Sequence, residues 1–211
     1  MLITLAIFMF ILIVASTWWF GLWSNLITLI NLLLAAMLAS SVYEPISALL
    51  LKANSSYAVL YDFLAVWIAF VVAFFVLRGI TDVMSSYRIK FDPITELVGR
   101  SILSIWVAAV FICFSFFTLQ MAPIKPNVYA ETTVKSEMGT MPDRMWLAFI
   151  QSRSRGAFSA GKAKSIFAEY TLAPHPDDVD LDARVFDPHA GFLPYYAKKR
   201  QEIADQEILR K

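Results

Sequence analysis

The stretch AVLYDFLAVWIAFVVAFFVL, residues 58–77, decides the fold: twenty residues with one charge, Asp62. As a helix it rises about 30 Å, the depth of a bilayer's hydrocarbon core. Its small residues keep helical spacing. Ala58, Asp62, Ala65, Ala69 and Ala73 fall on one stripe, while Phe63, Trp67, Phe70, Phe74 and Phe75 lie mostly off it. A membrane helix packs through a thin face of small residues and turns bulky side chains to lipid. The expectation is a transmembrane helix with its alanine stripe against a neighbour and its aromatic rings outward.

Three further apolar runs accompany it. Residues 2–17 read as a retained span rather than a cleaved leader. No Lys or Arg precedes them, and Trp18, Trp19 and Phe20 stand where small cleavage-site residues belong. Trp18, Trp19 and Trp23 then form an aromatic belt. A turn at 21–25 leads into the second span, 22–42, where Thr28, Asn31, Ala35 and Leu38 share a stripe. Asn31, near mid-bilayer, demands a hydrogen-bonding partner on another helix, as packing glue or as the lining of a conduit. Pro45 is expected to end this helix at Glu44, because the residue before proline avoids the α region, with 46–57 as a connector carrying Lys52. Asp62 sits about one turn into the third span and must face protein or water. It either pairs, with Lys52 as the nearest cation in sequence, or lines an ion or solute path. Residues 78–100 form a charged connector, part of which, 80–88, suits an interfacial helix, and Asp92-Pro93 with Glu96 reads as a helix start. The fourth span is 101–119. In it Ser101, Ala108 and Ser115 repeat every seventh residue, with Ser104 beside them, a left-handed packing seam.

The chain is 58% hydrophobic with mean hydropathy +0.60, more apolar mass than a soluble domain of its size carries. Charge is segregated: residues 120–211 hold 13 of the 18 Lys and Arg and 12 of the 17 Asp and Glu. The fold class expected is an all-α membrane protein, a bundle of about four transmembrane helices over 1–122 followed by a polar, mostly helical or irregular region over 123–211. A net charge of +1 gives no basis for binding nucleic acid, and the partners implied are the lipid bilayer, further copies of the chain or other envelope proteins. Cys113 stands alone, so no intrachain disulfide forms. There is no P-loop, HExxH or GxSxG motif, and the spans hold no paired carboxylates, histidine cluster or nucleophile–base set. The expectation is a non-enzyme with no cofactor and no metal.

Positive-inside counting sets the orientation. The 78–100 connector has four Lys and Arg, 43–57 has one and 18–25 has none. The basic connector is expected in the cytoplasm and the C-terminal region outside it. In that region, 142–157 reads as a helix with Met145, Trp146, Phe149 and Ile150 on one face and Arg144, Arg153 and Arg155 elsewhere, suited either to a membrane surface or to packing on the rest of the region. Residues 175–189, HPDDVDLDARVFDPH, start like a calcium loop at Asp178, Asp180 and Asp182. The pattern then fails at Ala183, where glycine is needed, and at His189, where a bidentate Glu is needed. A solvated acidic loop is expected there, and a charged helix over 195–211.

The order of these features resembles the colicin V production protein family: an apolar N-terminal run, a Gly21-centred turn into a second span, a third span, and a charged connector leading into the last span through Ile94-Thr95-Glu96-Leu97-Val98-Gly99-Arg100. Gly99 fits that pattern, whereas the last helix carries Ser and Ala where the family favours glycine. The Pro142–Phe158 stretch, PDRMWLAFIQSRSRGAF, looks like extensions of the family in some bacterial lineages. The resemblance implies a multi-pass protein of the bacterial inner membrane, acting as an accessory or small conduit in toxin production or export and in envelope homeostasis. The other reading is a scaffold whose C-terminal region binds an envelope partner. No catalytic residue carries over.

Overall fold

A computed structural model describes residues 2–53, 58–85, 91–124, 141–156, 161–167 and 181–209. Among them all regular structure is helical: α1 (Leu2–Trp18), α2 (Leu22–Ala53), α3 (Ala58–Met84), α4 (Pro93–Met121), α5 (Pro142–Ser154) and α6 (Phe192–Leu209). They form two compact units, Met1–Thr118 and Leu119–Lys211.

In the first unit, α2, α3 and α4 have 32, 27 and 29 residues and are long and apolar enough to cross a membrane. α1, with 17 residues, is equally apolar but rises only about 25 Å. Three helices therefore meet the spanning criterion, against the four runs read from sequence. Their outer faces are strongly apolar: Phe8 and Ile11 of α1, Leu34 and Leu38 of α2, Val72 and Phe75 of α3, and Ile102 and Trp106 of α4 are all exposed. A belt of that extent is far larger than a water-soluble monomer tolerates and belongs in hydrocarbon.

The alanine stripe of α3 is an inner face. Ala65, Ala69 and Ala73 are buried, and α2 supplies Ala35, Ala36 and Ala39, each 0% exposed; α2 and α3 are the closely paired helices of the unit. Side chains this small let two backbones approach. The aromatic residues of α3 depart from expectation. Trp67 lies edge-on to Phe70, Phe111 and Phe114, and Phe70 is buried with its ring centroid 4.8 Å from that of Phe114. These rings fill the space toward α4, whereas Phe75 does face outward. In lipid both sides of a helix are apolar, so side-chain size alone does not tell the partner face from the lipid face. On α4 the buried face runs through Ser104, Val107, Ala108, Phe114 and Phe117. Ser101 and Ser115 are only half-buried, and their hydroxyls donate to carbonyls of their own helix, Leu97 at 2.6 Å and Phe111 at 2.8 Å.

Pro45 does not stop α2, which continues through it to Ala53. A proline costs a helix one backbone bond, which neighbours in a membrane protein compensate. The expected 46–57 connector is thus largely helix.

The second unit has its own core. α5 starts with Pro142 at its first position and ends at Ser154, before Gly156 at φ +83°, a left-handed position glycine takes without strain. Trp146, Leu147 and Ile150 of α5 pack inside with Ile166, Val185, Phe192 and Tyr196. Of the face read from sequence, Trp146 and Ile150 thus lie inside the unit, while Met145 is exposed. Phe149 is half-buried at the margin with Arg153 over its ring at 6.0 Å, and Arg155 donates to Gln151 at 3.2 Å. Asp187 (φ 45°) caps α6, its carboxylate accepting from the amides of Gly191 at 2.6 Å and Phe192 at 3.1 Å. Gln151 reaches both neighbouring loops, donating to the carbonyls of Lys164 and Asp187.

Candidate functional site

Polar side chains inside the first unit gather where α2 and α4 begin and α3 ends. The turn before α2 sets the geometry. Glu96, in the first turn of α4, accepts from the amide of Leu22 at 2.7 Å and so caps α2. Two glycines allow the approach: a Cβ on Gly21 would stand 2.8 Å from Glu96 Oε1, and one on Gly99 only 2.1 Å from Leu22 Cδ1. Arg100 lies over the Trp18 ring at 4.9 Å. Asn25, 0% exposed, donates through Nδ2 to Ser104 Oγ at 3.1 Å and to the Phe20 carbonyl at 3.3 Å. Its Oδ1 has no partner among the described residues.

The neighbouring face of α2 is hydrogen-bonded to α3. Trp23 Nε1 donates to Ser85 Oγ at 2.7 Å, and Asn31 Nδ2 donates to Thr81 Oγ1 at 2.8 Å. Arg78 donates to Thr28 Oγ1 at 2.8 Å and forms an ion pair with Asp82 at 3.0 Å. Asn31 thus has the interhelical partner that the sequence demanded. Thr28 is engaged by a cation that was expected in a connector, because α3 runs seven residues past Leu77. The sequence did hold a signal for this: Arg78, Thr81, Asp82 and Ser85 continue at i, i+3, i+4, i+7. Asn25 carried none beyond being an amide in an apolar run.

At the other end of α2 and α3, Ser47 Oγ donates to Asp62 Oδ1 at 2.5 Å, and Tyr43 donates to Glu44 at 3.3 Å. Continuation of α2 past Pro45 is what brings Ser47 to Asp62. Sixteen residues, about 24 Å of helix, separate Asn31 from Ser47 on α2. Between them the buried residues of α2 and α3 are alanines with Leu32, Val66 and Phe70, and Ser40, whose hydroxyl donates to the Ala36 carbonyl at 2.8 Å.

In the second unit, Asp143 is 2% exposed and accepts from Gln120 at 2.8 Å; burial lifts its carboxyl above the ordinary 3.8 against that bond and the charge of Arg144. Asp187 is also lifted by burial, opposed by its bonds to the Phe192 and Gly191 amides and by His189. Exposed Asp182 is held below the ordinary value by its bonds to Arg184. Of the acidic loop's candidate ligands, Asp178, Asp180 and His175 lie outside the described residues. Among those described, no three His, Cys, Asp or Glu stand together to hold a metal.

These features define a membrane-spanning protein, helical in its regular structure among the described residues, with a folded C-terminal unit. Compared with known proteins, the chain matches no family model, no curated protein and no solved structure.

Proposed function

We propose that this is a non-enzymatic, multi-pass protein of the bacterial inner membrane with a role like that of the colicin V production family, an accessory of toxin export and envelope homeostasis whose helices anchor the C-terminal unit as a scaffold. The observation that carries this reading is the closed middle of the α2–α3 contact. Polar pairs between the helices sit at its two ends, and the roughly 24 Å between them is filled by alanines and larger apolar side chains, with Ser40 turning its hydroxyl onto the Ala36 carbonyl of its own helix. A conduit through that contact needs a continuous line of polar groups or water; an anchor needs close packing, and alanine supplies it. The basic 78–100 connector favours a cytoplasmic side for the start of α2 and the extracytoplasmic side for the C-terminal unit.

Two measurements test the proposal together. In cells with an envelope or toxin-export defect that the full chain corrects, removal of residues 125–211 is expected to abolish correction, while Asp62→Asn and Asn31→Leu retain it. In liposomes, the purified protein is expected to give no solute flux that depends on Asp62 or Asn31. Flux lost in Asp62→Asn, with correction retained by the shortened chain, assigns the conduit instead.

A further inference from the structure

The corner where α1 ends, α2 begins and α4 enters the bilayer holds one charge that the protein does not balance. Residues 101–119 of α4 carry no charge and rise about 28 Å, so Arg100 stands at the edge of the hydrocarbon. Each carboxylate near it is committed elsewhere. Glu96, one turn before it, accepts from the Leu22 amide at 2.7 Å, and Asp92, two turns before it, from the Ile94 amide at 3.3 Å. Residues 2–43, which make up α1 and most of α2, hold no charged side chain. On α3, Asp82 pairs with Arg78 at 3.0 Å.

Among the described residues the Arg100 guanidinium has no ion-pair or hydrogen-bonding partner, and its Nε is buried and unbonded. What holds it is the Trp18 ring, 4.9 Å from the guanidinium carbon. A ring face attracts the cation but offers no oxygen to its N–H fork. The surface beside the pair is apolar: Trp19 is 87% exposed, and Phe20, Leu97, Val98 and Ile102 are half exposed. The other unbonded atom of the corner, Asn25 Oδ1, is an acceptor on a fully buried residue and offers nothing to an anion.

We propose that Arg100, held on Trp18, binds the phosphate of an anionic phospholipid on the side of the membrane where α2 and α4 begin.

The chemistry of the occupant follows from the depth and from the charge. Phosphodiesters lie just outside the hydrocarbon, where an arginine at its edge reaches them. A planar guanidinium meets two phosphate oxygens side by side. A headgroup with one net negative charge balances the single cation, whereas a zwitterionic headgroup brings an ammonium of its own. The acyl chains of the same molecule run along the exposed apolar residues of α1 and α4.

The test is native mass spectrometry of the detergent-purified full chain with added phosphatidylglycerol or phosphatidylethanolamine. The wild type is expected to retain phosphatidylglycerol about fivefold more than phosphatidylethanolamine, the weight of one interfacial cation. Arg100→Gln is expected to abolish the preference, and Arg78→Gln, which removes a cation already paired with Asp82, to keep it. Equal retention of the two lipids by the wild type, or an unchanged preference in Arg100→Gln, overturns the site. Displacement of phosphatidylglycerol by an equal concentration of inorganic phosphate also overturns it, in favour of a free anion. Should Arg100→Gln not fold, Trp18→Leu carries the test: the preference is expected to fall as the guanidinium loses its support, and an unchanged preference overturns the proposal.

Discussion

Asn25 and Asn31 are both amides in an apolar run, yet they carry different loads. Asn31 makes one bond to Thr81, whose hydroxyl also donates to the carbonyls of Leu77 and Arg78. Its replacement by Ala is expected to cost about 0.6 kcal/mol, and no more than about 1.7, since the membrane-unfolded state finds other partners. Asn25 ties the turn before α2 to α4, and Asn25→Ala leaves Ser104 and the Phe20 carbonyl without a buried donor. A loss of about 1–3 kcal/mol is expected there. Steric-trapping unfolding in lipid checks the order of the two. In the second unit, Asp187→Ala removes the cap of α6 and is expected to cost about 1 kcal/mol. The pH dependence has a definite sign. Asp143 and Asp187 are both raised, so their contribution is fully present below 3.8 and is lost as pH rises through each folded value. Thermal melts in detergent are expected to show the second unit losing stability from acid toward neutral pH, with Asp143→Asn removing part of the slope. Asn31's need of a partner was legible because an amide in hydrocarbon must be paired. The burial of Asp143 was not legible, because sequence does not reveal that residues 120, 143 and 200 are hydrogen-bonded together.

At the scale of elements, the two glycines of the α2–α4 junction make the sharpest contrast with a third. Gly99→Ala places a methyl 2.1 Å from Leu22 Cδ1 and is expected to destabilise by about 1–3 kcal/mol. Gly79→Ala meets nothing within 4 Å in mid-helix and is expected to be neutral or to stabilise by about 0.5–1 kcal/mol. The same unfolding assay compares them. The existence of α2, α3 and α4 was legible from length and hydropathy, and the α3 stripe from its alanines, because a small residue in a membrane helix has little use except close approach. The aromatic face was misread because Phe and Trp suit lipid and a neighbouring helix equally. Pro45 was misread because the steric bias of the residue before proline is a tendency that a long apolar helix overrides at the loss of a single backbone bond. The limits of α3 were set too early because Arg78 was taken as the end of the span rather than as a side chain turned toward Thr28.

For the whole molecule, the side on which the second unit lies depends on α4 alone, the one spanning helix between it and the basic connector. It is independent of whether α1 crosses. Single cysteines at exposed positions such as Arg184, placed in a Cys113→Ser background, are expected to react with an impermeant maleimide in intact cells, while cysteines at 88 or 90 react only after lysis. The reverse pattern inverts the orientation. The division into an apolar body and a charged C-terminal region was legible from charge placement. That the C-terminal region builds a core was not, because Trp146 and Ile150 on a basic helix suit a lipid surface as well as a protein interior, and their partners Val185, Phe192 and Tyr196 lie more than thirty residues away. The proline inside α2 has a consequence for the bilayer itself. α2 is about 48 Å long, well beyond a hydrocarbon slab of about 30 Å, and Pro45 offers no amide to the carbonyl of Ser41. That vacant rung is where the rod bends at least expense, so α2 adjusts to a thinner or thicker membrane by tipping its final segment while the alanine-packed portion stays upright.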